Sequence, residues 1–451
     1  MRAKATSTIA LRERLATLLP PEAIAPASDM ARYAVDGVVP QAVALPASVE
    51  QLSAALRLAN DQGWVVAVRG SGALMEYGGV PKGVDLVLGL ERMASAIDHA
   101  PGDLTVTVGA GVRLAALQEA LGKAGQWLPV DPPLAGRQTM GGMLATNLSG
   151  PLSLAYGGLR DMVIGMRVAG PDGVVTKSGG KVVKNVTGFD VGKAHIGALG
   201  TLGVVLEASF KVAPLPKKDV TLVALFDSLA QAIKASHELL AHPSAPQALE
   251  VVLMGMNRRD DEGRMRQPTC NLYARLLGSE GAMERRLADC SRLLVQSRAV
   301  NVQPAGSQAA GQTWEWLADF GWDPQAGSGL LVRLGCLPSQ VGELSQGIEE
   351  MMLRELHQGS LVVGPGRGVA KVFMPGLKWA DADTAGTAVE ALRGLAAGVQ
   401  GYAVVERCPL PAKATLDVWG NPGDGLALMR RLKEQMDPRG VLNPGRYVGG
   451  I

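Results

Sequence analysis

Between Thr139 and Gly150 the chain reads TMGGMLATNLSG, and no other stretch limits the possible folds as much. Paired glycines beside small and short polar residues belong to a backbone that must come close to something, because glycine lacks the Cβ that would keep it away. Successive amides in such turns form concavities that hold anionic phosphates. The wider stretch from Pro129 to Val205 therefore reads as the wrapping of a large phosphate-bearing ligand. The rest of the chain is expected to position or cover it.

Glycine supplies 57 of the 451 residues. That is well above the usual share of about 7% and shows no collagen-like period, so it points to many tight turns. The length implies two to three domains. With 47% hydrophobic and 19% charged residues the chain is globular and not disordered. A net charge of +2 gives no case for nucleic acid or an anionic membrane as the main partner. The four cysteines, Cys270, Cys290, Cys336 and Cys408, lie far apart. They are expected as buried reduced thiols and have no iron–sulfur spacing, so any cluster in an electron path must sit on another chain. The N-terminal residues lack the apolar core of a secretory signal. They read as an amphipathic helix with Leu11, Leu15, Leu18 and Leu19 on one face, ended by Pro20 and Pro21. No apolar run reaches the roughly 18 residues of a membrane span, so the cytoplasm is the expected location.

Residues 42–68 form a β–α–β pattern: the strand AVAL, a capping box at Ser48 and Gln51, a helix burying Leu52, Ala55, Leu56 and Ala59, a stop at Gly63, then WVVAV. The second strand feeds Arg69-Gly70-Ser71-Gly72, whose amides and guanidinium suit a pyrophosphate. This turn is neither a P-loop nor GxGxxG. The strand LVLGL follows, then a hairpin turned at Pro101-Gly102 and a helix from about Val112 to Lys123. Beyond Gly150, MVIGMRVA and GVVTKS read as strands joined at Pro171-Asp172-Gly173, and GTLG leads into VVLEASFKV. The segment from Lys181 to Val191 is open between a solvated basic turn and part of the site.

Pro214 and Pro216 mark a boundary. Beyond it β-α-β-β-α-β occurs twice, separated by a Gly-rich linker holding TWEWLADFGW. Two split βαβ units suggest one mixed sheet with helices on one face. In the tail, a helix with Leu428, Leu432 and Met436 on one face leads to Asn443-Pro444-Gly445-Arg446.

RGSG, PVD at Pro129–Asp131, TMGGMLATN, VVKNVTGFD at Val182–Asp190, IGALGTLGVV at Ile196–Val205 and NPGR occur in this order. Together they resemble the flavoprotein family of vanillyl-alcohol-oxidase (PCMH) type, and within it the FAD-binding subunits of bacterial glycolate oxidases. The resemblance implies an α+β chain. An N-terminal helical segment (1–35) would precede a two-lobed PCMH-type FAD-binding domain (36–215). A ferredoxin-like α+β cap (216–406) and a C-terminal segment (407–451) that returns to the FAD domain would follow. Non-covalent FAD is expected, since Ala73 stands where family members usually carry Thr, Ser or a flavin-linking histidine, and no histidine lies nearby. Arg69, Gly70, Ser71, Gly72 and Ala73 would hold the pyrophosphate. Gly141, Gly142, Ala145 and Asn147 would line the flavin and ribityl chain. Val205 would offer backbone contacts near the far end, and Pro129, Asp131, Thr139, Gly150 and Gly203 would complete the site.

Oxidising a 2-hydroxy acid by hydride transfer needs a base for the hydroxyl proton and cations for the carboxylate. The metal-binding GDGNxH segment and the later EHG histidine of related dehydrogenases do not occur here. Of the five histidines, His99, His237, His242 and His357 read as surface or helix-end residues, and His195 is the flavin neighbour to consider. Arg160, Lys184, Arg333, Arg367 and Lys371 are the cationic candidates, and no catalytic base is identified. Two readings stay open. In the first, the chain is the flavin-bearing subunit of a glycolate (2-hydroxy acid) oxidase, with a related FAD- and metal-bearing subunit and an iron–sulfur subunit passing electrons to quinone, at the membrane only through partners. In the second, it is a self-sufficient FAD-dependent oxidase of a hydroxy acid or polyol.

Overall fold

The computed structural model describes residues 11–94, 97–180, 191–256, 269–355 and 358–451. The segment VVKNVTGFD, with Lys184, and His357 lie outside them. Strands are numbered throughout, and α-helices where they have seven residues or more.

The first lobe is the β–α–β pattern made real. Strands β1 (Ala42–Ala44), β2 (Val66–Arg69) and β3 (Leu86–Gly89) form a parallel sheet in the order β1-β3-β2, with helix α1 (Val49–Gln62) as the crossover. The Ser48 hydroxyl accepts from the Gln51 amide at 3.3 Å, and Gln51 Oε1 accepts from the Ala47 amide at 2.8 Å. Gly63, at φ 65°, ends the helix in the left-handed region.

The second lobe holds β4 (Ile97–Ala100), β5 (Thr105–Gly109), β7 (Val163–Ala169), β8 (Val175–Gly179) and β9 (Val204–Lys211), antiparallel in the order β4-β5-β9-β7-β8. The short β6 (Gln126–Trp127) pairs with β10 (Ala213–Pro214) beside it. Helix α2 (Leu114–Gly122) packs against β4 and β6 and helix α3 (Met140–Thr146) against β5 and β9, and Leu117, Leu128, Met140, Leu144 and Phe210 are all fully buried.

The cap is one eight-stranded sheet. β11 (Lys218–Phe226), α4 (Leu229–Leu240), β12 (Ala248–Met256), β13 (Thr269–Gly278), α5 (Glu280–Gln296) and β14 (Asn301–Pro304) make its first half. Helix α6 (Ser307–Ala318) leads to the second half, formed by β15 (Gly329–Gly335), α7 (Val341–Arg354), β16 (Gly359–Gly364), β17 (Val369–Pro375), α8 (Ala382–Gly398) and β18 (Tyr402–Arg407). The strand order is β14-β11-β13-β12-β16-β17-β15-β18, so two ferredoxin-like halves meet at β12–β16. Every neighbouring pair is antiparallel, where a mixed sheet was expected. The reason is geometric: each split βαβ crossover skips one position, and the strand that fills the gap runs the other way.

Helices α4, α5, α7 and α8 bury their apolar stripes on one face of this sheet. The opposite face meets the turns after β2 and segments that adjoin α3 and β9: Leu74, Tyr77, Leu148 and Leu199 share a buried cluster with Trp314, Phe320, Trp322 and Phe373. TWEWLADFGW is thus not a linker. Trp314, Leu317 and Ala318 recur at helical spacing on α6, and the Trp314 indole N–H donates to Thr221 Oγ1 at 2.7 Å.

Two further expectations about helices are corrected. Near the N-terminus Leu11, Leu15 and Leu19 are buried but Leu18 is exposed. On α9 (Gly425–Met436) Leu428 is 71% exposed and Leu432 is 37% exposed. That helix docks through Lys433 instead, whose ammonium meets Asp437 at 2.5 Å and the carbonyls of Thr201 and Leu442 at 2.7 and 2.9 Å. The clamp holds the tail against β2, where the Val66 amide donates to Val441 O and the Asn443 amide donates to Val66 O.

Candidate functional site

The RGSG turn at the end of β2 and the N-terminus of α3 face each other across a narrow groove. Thr139 caps α3, its hydroxyl accepting from the Gly142 amide at 3.3 Å. The amides of Met140 and Gly141 donate to Val112 O and Ala110 O, which pins the turn to the second lobe. Two glycines are demanded by this packing. A Cβ on Gly141 would sit 2.8 Å from Ala110 Cβ, and one on Gly70 would overlap the Thr139 hydroxyl.

One part of the groove is walled by Gly70, Ser71, Gly72, Ala73, Thr139, Gly142, Ala145, Asn443 and Arg446. It continues, through shared Val68, Gly70, Thr139, Gly142, Ala145 and Leu199, into a deeper part walled by Ala110, Gly141, His195, Gly203 and Val205. The structure therefore brings together ten of the residues singled out from sequence: Gly70, Ser71, Gly72, Ala73, Thr139, Gly141, Gly142, Ala145, Gly203 and Val205. Asn147 lines an adjoining cavity instead. Arg69 turns its guanidinium over the Tyr33 ring, 4.6 Å from the centroid, and lines an outer cavity of about 720 Å³ with Arg32, Arg137 and Arg407. Pro129, Asp131 and Gly150 wall a separate small pocket. There the Asp131 carboxylate accepts from the Leu152 amide at 2.9 and 3.2 Å.

Between the groove and the cap lies a cavity of about 650 Å³. Its walls include Tyr77, Asn147 and Trp419 on one side and Arg333, Arg367, Lys371, Tyr402 and Glu406 on the other. Lys371 and Arg333 are register partners on neighbouring strands. Arg333 donates to Glu406 Oε1 at 2.7 Å and to the Tyr402 hydroxyl at 2.9 Å, and Lys371 lies 3.7 Å from Glu406 Oε2. The Trp322 indole also donates to Glu406 at 3.2 Å, and Arg367 donates to Glu250. Burial pushes the Glu406 carboxyl up, but Lys371 and Arg333 outweigh it and hold it below the usual carboxylate range. Burial dominates at Glu250 and raises it despite Arg367. Burial also lifts the Tyr77 phenol to about 12. Three of the cationic candidates are thus gathered in one wall, whereas Arg160 is exposed and donates to Lys193 O.

Sequence reasoning missed the two carboxylates of this wall. The available signal was an acidic residue inside an apolar strand, in ALEVVLM and YAVVER. It also left Asn443 and Arg446 without roles. Asn443 donates to Gly200 O, and Arg446 donates to Tyr77 O and Asp36. Among the described residues no group of three metal-ligating side chains occurs.

The groove and its neighbours are held in costly backbone conformations. Asp36, Leu134, Asn147, Leu199 and Asn443 all have φ between 45° and 54°, and each lines the groove or an adjoining cavity.

Comparison with known proteins names the domain that contains the groove. Residues 40–179 match the FAD binding domain family, and residues 419–447 match the C-terminal domain of FAD linked oxidases. The chain carries an FAD binding domain. The glycine-walled groove fits that cofactor: its floor is backbone where a Cβ would intrude, and buried His195 Nδ1 and Asn147 Oδ1 have no partner beside it. Glycolate oxidase subunit GlcD of Bacillus subtilis is 30% identical over 60% of this chain and 58% of its own length. D-2-hydroxyglutarate dehydrogenase of Xanthomonas citri is 38% identical over 44% and 42%. Glycolate oxidase subunit GlcE of Escherichia coli is 27% identical over 79% and 85%. The matches to the first two thus span only about half of those relatives. A crystal structure of p-cresol methylhydroxylase with substrate bound superposes with a TM-score of 0.75 at 14% identity, over 99% of this chain and 97% of its own. At that identity the likeness concerns the fold alone.

Proposed function

We propose that this chain is the FAD-bearing subunit of a 2-hydroxy acid (glycolate-type) oxidoreductase, binding FAD without a covalent link. In this reading it takes part in electron transfer, while a related subunit carries out the substrate oxidation and an iron–sulfur subunit passes the electrons to quinone. When bound, FAD would supply the acceptor for the hydride, and with it both electrons, released as a 2-hydroxy acid becomes a 2-oxo acid. The one proton that remains, from the hydroxyl, needs a base on the protein.

One observation carries the proposal: the cavity wall facing the groove is charged but engaged with itself. Glu406 is held ionised between Arg333 and Lys371, which leaves it a poor base, and Arg367 is committed to Glu250. Tyr77, with its raised pKa, keeps its proton at neutral pH. The names of the relatives add support, since GlcD and GlcE are both called subunits of glycolate oxidase.

A second reading has its own observation. Three cations face two carboxylates in this wall, and the surplus positive charge could receive one substrate carboxylate. That would make the chain a self-sufficient oxidase or dehydrogenase. Purification of the tagged chain from its source cell, with assay of flavin, iron and co-purifying chains, separates the two. The first reading expects partner chains with iron, and little glycolate-dependent dye reduction by the isolated FAD-loaded chain. Full turnover by that isolated chain would overturn it.

A further inference from the structure

His195 is an anomaly in the deep part of the groove. It is 5% exposed, and its Nδ1 is sealed inside the protein with no hydrogen-bond partner. Its Nε2 has none among the described residues either, and is the ring nitrogen that is not sealed. The side chain lines the groove between Gly203 and Val205, with Cε1 only 2.9 Å from where a Cβ on Gly203 would lie. Around it the walls are Val68, Leu90, Ala110, Gly141 and Leu199, so among the described residues, apart from Thr139, whose hydroxyl is used as a helix cap, His195 is the only wall side chain with a polar atom.

The tautomer follows from the burial. A neutral imidazole has one N–H and one lone pair, and a sealed N–H without an acceptor costs more than a sealed lone pair. The proton therefore belongs on Nε2, which can donate to something in the groove. The groove's other end supplies the direction. There Asn443, Arg446 and the Ser71–Ala73 backbone line the stretch beside the cap-side cavity, and among the described residues no charged side chain lines the His195 end. A redox-active ring must face the cap to exchange electrons, so the opposite, apolar end is left for the non-reacting half of the dinucleotide.

We infer that His195 is a binding residue for the adenosine half of FAD, its Nε2–H donating to an acceptor on the adenine or ribose. The inference rests on the FAD-binding domain and not on which reaction the chain supports.

The test measures dissociation constants of FAD and of ADP on the apoprotein, ADP by displacement of FAD, for wild type, His195→Leu and His195→Gln. Gln places an amide N–H close to the imidazole Nε2. His195→Leu is expected to weaken FAD and ADP by the same factor, about 5- to 10-fold for one neutral hydrogen bond, and His195→Gln to recover most of it. Unchanged ADP affinity in His195→Leu, or millimolar ADP failing to displace FAD from the wild type, overturns the inference. If His195→Leu does not fold, ¹⁵N imidazole spectra of the wild-type apoprotein decide. The signal absent from His195→Gln must move on ADP addition, and a stationary signal overturns the inference.

Discussion

Lys413 reaches back 377 residues to bond Asp36 at 2.7 Å, with both side chains 4% exposed. Arg446 meets the same carboxylate at 3.3 Å, and the two cations also hold the carbonyls of Glu76 and Tyr77. One buried acid at the start of the first lobe thus ties together the segment just after the cap, the end of the tail and the turns that follow RGSG.

Asp36→Asn removes the carboxylate shared by two buried cations. Stability should fall by about 3–5 kcal/mol, as for a buried ion pair that loses one partner. Chemical denaturation followed by fluorescence measures this. A loss below 1 kcal/mol would show that solvent reaches Lys413 or Arg446.

Gly141→Ala places a methyl against Ala110. The overpacking should cost about 1–3 kcal/mol and lower FAD occupancy. Gly122→Ala, on α2 with open space around it, is the control. It should be neutral or stabilising, by up to about 1 kcal/mol. Equal thermal shifts in the two variants would refute the packing argument.

Two buried groups pull the pH dependence in opposite directions. Burial lowers His195 to about 4 from 6.5, so between those values the unfolded chain binds more protons and stability rises with pH. Burial raises Asp131 to about 7 from 3.8, so over that range the folded chain binds more protons and stability falls with pH. Each effect is worth about 3–4 kcal/mol over its full window. Between pH 4.5 and 6.5, Asp131→Asn should therefore gain stability with pH relative to wild type, and His195→Leu should lose it. Urea midpoints across this range give both slopes, and parallel slopes contradict the assignment.

Ala73 offers nothing for a covalent bond to the flavin. Acid precipitation of the FAD-loaded protein is expected to leave the yellow colour in the supernatant. A coloured pellet would mean a linkage through another residue.

The groove was legible in the sequence because its chemistry is local. RGSG and TMGGMLATN announce close backbone approach whatever they face, and the split βαβ layout of the cap follows from strand and helix periods. The charged wall was only half legible. Arg333 pairs with Glu406, 73 positions on, and with Lys371 across a sheet register that no spacing reveals. Glycine content hid α6, although its tryptophans already stood at helical intervals. On α9 the apolar stripe suggested the wrong buried face, because Lys433 found a carboxylate and two carbonyls that only the folded tail supplies.

The left-handed conformations of Asp36, Leu134, Asn147, Leu199 and Asn443 also bear on binding kinetics. Residues with side chains enter this region at a cost of about 1–3 kcal/mol each, and the surrounding packing has to enforce it. FAD therefore meets a mould already set, and little ordering remains to be done when it arrives. The slow step of cofactor loading should then be the opening of that mould, which makes FAD exchange a measure of how often the cap and tail part from the lobes.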